Sequence, residues 1–137
     1  MRNKIVRRSG ERGANLVEFG LSFLLFFTVL CGIMEFGRAV AYYNILAGAT
    51  KEGARYAMAH GSASGSTATA SDIQNVVRKW AIGLDPALVN VTTTWASGNG
   101  PGGRVNVRSR YNLLPFTALV LPAPISIGSS SELIISQ

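Results

Sequence analysis

The feature that most constrains this chain is an apolar run near its N-terminus that contains one carboxylate. Phe19 to Met34 are sixteen consecutive uncharged residues, and extension back to Ala14 gives 21 residues with a single ionisable side chain, Glu18. An α-helix rises about 1.5 Å per residue, so roughly 20 apolar residues cross the hydrocarbon core of a bilayer. Residues 14–36 are therefore predicted to span a membrane. A carboxylate inside such a span is costly in lipid and marks a functional position.

The positive charge of the chain is concentrated directly before this run. The formal net charge is +6, and residues 1–13 carry five basic side chains against one acidic side chain, which is +4 of that total. Lys and Arg beside a span keep that end in the cytoplasm. Residues 1–13 are predicted to be a cytoplasmic leader, and everything after the span is predicted to be periplasmic. The basic tail lacks the motif context of a nucleic-acid-binding surface, so no nucleic-acid partner is expected.

Two ordinary explanations account for the run less well. A cleaved secretory signal needs a small-x-small site at the end of its apolar region. The triplet Ala47-Gly48-Ala49 lies 13 residues beyond Met34, which is too far. A plain single-span anchor explains the length of the run but not Glu18. The single cysteine, Cys31, lies inside the run, where it is interpreted as a small apolar filler.

The residues around Glu18 carry a pattern that the two ordinary explanations leave out. Residues 12–19, RGANLVEF, resemble a prepilin cleavage site of the type G-x-x-x-x-E-[FY]. Three blocks, VEF at 17–19, GIMEFGR at 32–38 and KEGARYA at 51–57, resemble the TadE-like family in order and spacing. Its members are minor pilins, or pseudopilins, of the tight-adherence (Flp-type) pilus system. Two departures are Asn15, more polar than the usual residue, and Gly20-Leu21-Ser22, where many members carry a proline.

The resemblance implies that a prepilin peptidase cuts the chain after Gly13. Ala14 then becomes the first residue and Glu18 the fifth, and Gly13, Ala14, Glu18 and Phe19 are the predicted cleavage and recognition residues. Cleavage frees an amine on Ala14, four residues before Glu18, which is a spacing that places both groups on one helical face. Pairing with that amine, or with the amine of a neighbouring subunit, makes an intramembrane carboxylate tolerable.

A second block of the resemblance lies at the predicted outer boundary of the membrane. Its members are Gly32, Glu35, Phe36, Gly37 and Arg38. Glu35 and Arg38 are three residues apart and share a helical face. An interfacial ion pair, worth about 0–1 kcal/mol, is favoured over a contact with a partner protein.

The helix is predicted to continue through the periplasmic residues 37–60 to about His60. Apolar side chains recur there at helical spacing and give one apolar stripe, made of Phe36, Val40, Tyr43, Ala47 and Ala54.

Small residues repeat at four-residue intervals along the same segment. Ala49, Gly53 and Ala57 let another surface approach closely. Two interpretations stay open, which are association with a helix of another subunit and packing under a sheet of the same chain.

The C-terminal half predicts a small α+β periplasmic domain at residues 72–137. Residues 61–71 are predicted to be a flexible Gly/Ser/Thr/Ala linker, and Ser71-Asp72 the N-cap of a short helix at 72–82. Alternating apolar and polar residues predict strands, and Pro115–Leu121 predicts a helical turn. The fold class is α+β and pilin-like, with a long N-terminal helix packed against an antiparallel sheet of about three strands. The predicted strands are residues 89–95, 105–113 and 125–135.

The residue inventory argues against catalysis. The chain has one histidine and one cysteine, and it contains neither a G-x-S-x-G motif nor a GK[ST] loop. No enzyme activity, metal, cofactor or small-molecule substrate is expected. The predicted function is that of a membrane-inserted minor pilin, whose partners are the prepilin peptidase, other pilin subunits and inner-membrane lipid. The alternative is a permanently anchored single-pass accessory protein of a secretion or pilus assembly machine.

Overall fold

The structure, a computed structural model, describes residues 9–116 and 123–136. Two helices are followed by a single 3-10 turn at Pro86–Leu88 and a three-stranded antiparallel sheet of order β1-β2-β3. The predicted α+β class is confirmed. The elements are α1 (Ser9–Ala59), α2 (Ala70–Trp80), β1 (Val89–Trp95), β2 (Arg104–Leu113) and β3 (Ile125–Ile134).

Helix α1 is one continuous element of 51 residues, which corresponds to roughly 76 Å at 1.5 Å per residue. Residues 13–27 are exposed without interruption, so the helix presents apolar side chains to its surroundings on every side. From Glu35 onward, one face of the same helix is buried by the rest of the chain. We call these two segments the bare half (residues 13–34) and the covered half (residues 35–59).

The predicted apolar stripe does not form the buried face of the covered half. Phe36, Val40 and Tyr43 are 43–72% exposed, and Ala54 is the one predicted member that is buried. Small side chains occupy most of the buried face because they let other elements lie close to the helix axis. The buried face consists of Glu35, Leu46, Ala49, Thr50, Gly53, Ala54 and Ala57.

Helix α2 begins two residues earlier than predicted because its cap is Thr69 and not Ser71-Asp72. The Thr69 hydroxyl accepts a hydrogen bond from the Asp72 backbone N–H, and the Asp72 carboxylate accepts one from the Thr69 N–H. This reciprocal pair is a capping box, which satisfies two backbone donors that helix geometry leaves open. Ile73 and Val77 of α2 are fully buried against the covered half.

The sheet follows the predicted alternation closely. Val89 of β1 pairs with Tyr111 of β2, and Trp95 pairs with Val105. On β2 every second residue from Val105 to Leu113 is buried, as the period of two requires for a sheet with one covered face. Strand β3 adds to the other edge of β2, with Arg104 opposite Ile134 and Leu113 opposite Ile125.

The sheet lies along the covered half, and polar contacts fix its position at several heights. Near the middle, the buried hydroxyls of Thr50 and Ser109 are hydrogen bonded to each other. At the far end, the Ser136 backbone N–H donates to the Met58 carbonyl. Strand β2 therefore runs toward the bare half, and β3 runs away from it.

The connections between these elements are held by backbone hydrogen bonds. Residues 61–71, predicted to be a flexible linker, are tied down by the Ser62 N–H, which donates to the Asn99 carbonyl, and by the buried Ala68. In the loop between β1 and β2, a side chain at Gly103 would lie 2.7 Å from the Gly98 carbonyl oxygen, so glycine is needed there. The helical turn predicted for Pro115–Leu121 lies mostly outside the described residues.

Candidate functional site

The predicted cleavage residues lie on the first turns of the bare half. Gly13, Ala14, Glu18 and Phe19 are all exposed, and an added side chain at Gly13 would meet no atom within 4 Å. Helix α1 begins at Ser9, so the peptide bond between Gly13 and Ala14 lies in helical backbone. A protease that cuts this bond must therefore unwind the first turns locally, where a glycine lowers the cost of leaving the helix.

The bare half has the length and composition of a membrane span. Among the described residues, the helix from Gly13 to Ala59 is the one that is long and apolar enough to cross a bilayer, and none of its most apolar stretch is buried. Phe19, Phe23 and Phe27 stack along one side with ring centroids 6.2 Å apart. Within residues 9–116 and 123–136, no other element covers these large exposed rings, which favour an apolar environment.

An ion pair with a buried carboxylate lies where the bare half ends. Glu35 is only 4% exposed, although it is a carboxylate. Its Oε1 accepts a hydrogen bond from Arg38 Nη2 at 2.5 Å, and both carboxylate oxygens accept from the Phe116 backbone N–H, at 3.2 and 3.4 Å. Arg38 Nη2 also donates to the Leu114 carbonyl at 2.5 Å. We call Glu35 and Arg38, with the backbone of residues 114–116, the boundary clamp.

The boundary clamp differs from the exposed interfacial pair that sequence spacing predicts. The two charged residues do pair, but they also hold a segment that lies 76 to 81 positions further along the chain. A carboxylate that is buried with several hydrogen-bond donors is costly to leave unpaired, so removal of Arg38 should cost more than removal of one partner of a surface ion pair. The other residues of the predicted boundary motif lie outside the clamp, since Gly32 is half-buried and Phe36 and Gly37 are exposed.

The small residues of α1 lie in the interior of this chain. Ala49, Gly53 and Ala57 are all buried, and a side chain at Gly53 would lie 2.4 Å from the Val77 Cγ2 atom and 3.6 Å from the Ile73 Cγ2 atom. The surface that approaches Gly53 is therefore α2, which is neither of the two surfaces that the sequence analysis considered.

An apolar groove adjoins the boundary clamp, and sequence reasoning missed it. Its volume is about 490 Å³, and apolar side chains line it except at one end. The signal available in the sequence was the uncharged stretch that follows β2, which periodicity does not connect to the helix. The lining residues are Phe27, Leu30, Cys31, Met34 and Phe116, with Glu35 and Arg38 at the end.

The described residues offer no grouped donors for a metal. Within residues 9–116 and 123–136, no three His, Cys, Asp or Glu side chains lie together. His60 stacks on the Tyr56 ring at 4.1 Å between centroids, and its Nδ1 lies 3.0 Å from the Tyr56 carbonyl. At Asp72, the hydrogen bonds from the Thr69 hydroxyl and backbone N–H lower the pKa of the carboxyl below its usual value. Both residues therefore have local structural explanations.

Comparison with known proteins gives one match. The family model described as TadE-like protein matches residues 13–55. Neither the curated proteins nor the solved structures contain a match to this chain. The matched segment begins at the predicted cleavage glycine and includes the bare half. It also includes Glu35 and Arg38 of the boundary clamp and the small residues Ala49 and Gly53. Over this segment, about a third of its length, the chain is similar to the TadE-like family.

Proposed function

We propose that this chain is a minor pilin, or pseudopilin, of a tight-adherence pilus, inserted in the bacterial inner membrane and processed after Gly13. The observation that carries the proposal is the coincidence of three features at one place. The family match begins at Gly13. The G-x-x-x-x-E pattern begins at the same residue, and the helix that follows exposes apolar side chains on every side.

The charge distribution supports an orientation with the N-terminus in the cytoplasm. Five basic side chains precede Gly13, and the span that follows has none before Arg38. Positively charged flanks are retained on the cytoplasmic side. The prepilin peptidase then acts at the cytoplasmic end of the span, and the sheet lies in the periplasm.

The bare half supports a role in assembly. The described residues leave most of its apolar surface exposed, so it suits lipid before assembly and the helices of other pilin subunits afterwards. Glu18 supplies a carboxylate for the move from lipid into the assembled pilus. Once the Ala14 amine is free, the carboxylate pairs with that amine or with the amine of a neighbouring subunit, which lowers the cost of burying either charge. The chain itself performs no catalysis in this proposal.

Intact mass of the membrane-extracted protein tests the processing step. Co-expression with an active prepilin peptidase should yield a chain that begins at Ala14, and co-expression with an inactive peptidase should leave the leader in place. Gly13→Val should block the cut. Gly20→Val is the matched control, because Gly20 lies on the same exposed helix with nothing within 4 Å, and it should be processed normally. A mature chain that begins at any other residue contradicts the proposal.

Fractionation distinguishes the proposed pilin from a permanently anchored accessory protein. A minor pilin should be recovered, in processed form, from fibres sheared off the cell surface. Recovery from the inner membrane alone, with no signal in the sheared fraction, favours the accessory protein.

A further inference from the structure

The segment that leaves β2 has large apolar side chains pointing into solvent. Phe116 is 81% exposed and Leu114 is 61% exposed. Exposed apolar side chains are common singly, but here two flank one proline in a segment whose backbone is held in place. The boundary clamp fixes both ends of the tripeptide through the Leu114 carbonyl and the Phe116 N–H.

The clamp places this segment beside the apolar run and not beyond it. Phe116 lines the groove together with Phe27, Leu30, Cys31 and Met34, which all belong to the bare half. Phe27 precedes Glu35 by eight residues, or roughly 12 Å along the helix axis. The groove therefore extends from the height of the boundary clamp into the depth of the span.

Two polar backbone groups of this segment have hydrogen-bond partners within the chain. The Leu114 carbonyl accepts from Arg38, and the Phe116 N–H donates to Glu35. Pro115 has no backbone N–H to satisfy. In the hydrocarbon region of a bilayer, irregular backbone is tolerated only where its polar groups have partners within the protein. The clamp supplies those partners for the two groups named.

We propose that Leu114–Phe116 form a second membrane contact and that the acyl chain of a bilayer lipid occupies the groove between Phe116 and α1. The lining supports this occupant. It is apolar along the span and charged only at Glu35 and Arg38, where lipid headgroups begin. Phenylalanine inserts favourably into the hydrocarbon region, so Phe116 suits the acyl chains just inside that height. The proposal depends on the membrane insertion of the bare half, as set out under Proposed function.

Fluorescence quenching by lipids brominated on their acyl chains tests the contact in the full-length chain, reconstituted into phospholipid vesicles. Phe116→Trp is the probe, and Leu114→Trp is a second probe in case one variant is unstable. Ile134→Trp is the matched control. It is also an exposed apolar residue of the sheet, 61% exposed, and it pairs with Arg104 at the opposite end of β2, roughly 30 Å from Leu113. Leu24→Trp provides the reference inside the span.

The emission that each substitution adds to the background of Trp80 and Trp95 is compared in brominated and ordinary lipid. We expect the added emission of Phe116→Trp and Leu24→Trp to be mostly lost in brominated lipid, and that of Ile134→Trp to be retained. Quenching at Leu24→Trp with none at either probe overturns the second contact and leaves the span intact. A probe emission that is blue-shifted but unquenched indicates cover by protein, and this also overturns a lipid occupant. No quenching at Leu24→Trp contradicts the membrane insertion itself.

Discussion

The two halves of α1 form one continuous helix, yet they solve the same problem of apolar surface in opposite ways. The bare half carries large side chains such as Phe23 and Leu24 around its whole circumference, and they are 56% and 55% exposed. The covered half turns alanine, glycine and threonine inward, and Leu46 is fully buried. Small residues let α2 and the sheet approach closely, whereas most of the large side chains of the bare half are exposed, and only a few of them lie beside Phe116 in the described residues. The covered half is therefore stabilised by packing within the chain, whereas the described residues leave most of the bare half exposed.

The largest difference in the free energy of unfolding is expected when one leucine on each half is truncated to alanine. Leu46→Ala removes a fully buried side chain and should lower the free energy of unfolding by about 2–5 kcal/mol. Leu24→Ala, at a position that is 55% exposed, should leave it nearly unchanged. Unfolding in detergent micelles, followed by the fluorescence of Trp80 and Trp95, measures both. Equal losses at the two positions mean that the bare half also packs within the chain.

The next comparison uses two Glu–Arg pairs, each with a spacing of three residues on α1. Arg38→Gln leaves the buried Glu35 without its cation, and we expect a loss of about 1–3 kcal/mol, less than for a fully buried pair because the Arg38 side chain is 30% exposed. Arg55→Gln disrupts the exposed pair with Glu52, at 3.8 Å, and should cost about 0–1 kcal/mol. Denaturant titration of both variants gives the difference. A loss at Arg55 that matches the loss at Arg38 removes any special role for the boundary clamp.

Substitution of two glycines of the covered half tests whether α2 lies against the face formed by Ala49, Gly53 and Ala57. Gly53→Ala places a methyl group 2.4 Å from Val77 Cγ2, so we expect a net destabilisation of about 1–2 kcal/mol, because overpacking exceeds the gain in helix propensity. Gly48→Ala meets nothing within 4 Å and should stabilise the chain by up to about 1 kcal/mol. Opposite signs in thermal unfolding are the expected result. If Gly53→Ala also stabilises, α2 does not lie against this face.

The smallest effect is expected at the cap of α2, and it depends on pH. Hydrogen bonds from Thr69 lower the pKa of the Asp72 carboxyl, so the ionised carboxylate stabilises the folded state. That contribution is complete above the ordinary pKa of an aspartate and is lost as the pH falls through the lower folded-state value. Asp72→Asn should therefore be less stable than the parent chain near neutral pH, and the gap should close in acid. A gap that persists unchanged in acid contradicts this assignment.

Local patterns in the sequence predicted most of the architecture. The strands at 89–95, 105–113 and 125–135 agree with β1, β2 and β3 within a residue at each end, because strict alternation identifies a half-buried strand. The end of α1 near His60 was also correct to one residue. The cap of α2 was misplaced because Ser71-Asp72 and Thr69 are both competent capping residues. The signal that identifies Thr69 is local, since its spacing of three residues from Asp72 allows the capping box.

Some candidate site residues could likewise be identified from the sequence, and others could not. The pattern at Gly13 and Glu18 depends on residues five positions apart, so it is visible in the sequence. The inward face of α1 was not visible, because that helix is apolar on several faces and periodicity alone does not choose among them. Close approach of α2 requires small residues, and this requirement selected the face of Ala49 and Gly53 over that of Phe36 and Tyr43.

The sequence by itself determined the long apolar helix, the charge asymmetry before it, the processing pattern and the alternating strands. Each is a property of neighbouring residues and follows from the periods of helix and strand. Only the tertiary structure decided that Glu35 and Arg38 hold the segment after β2, since that contact joins positions 76 to 81 residues apart. Burial of a charged pair among hydrogen-bond donors is a property of the folded environment, and it turns a surface ion pair of the sequence into the clamp that brings Phe116 to the span.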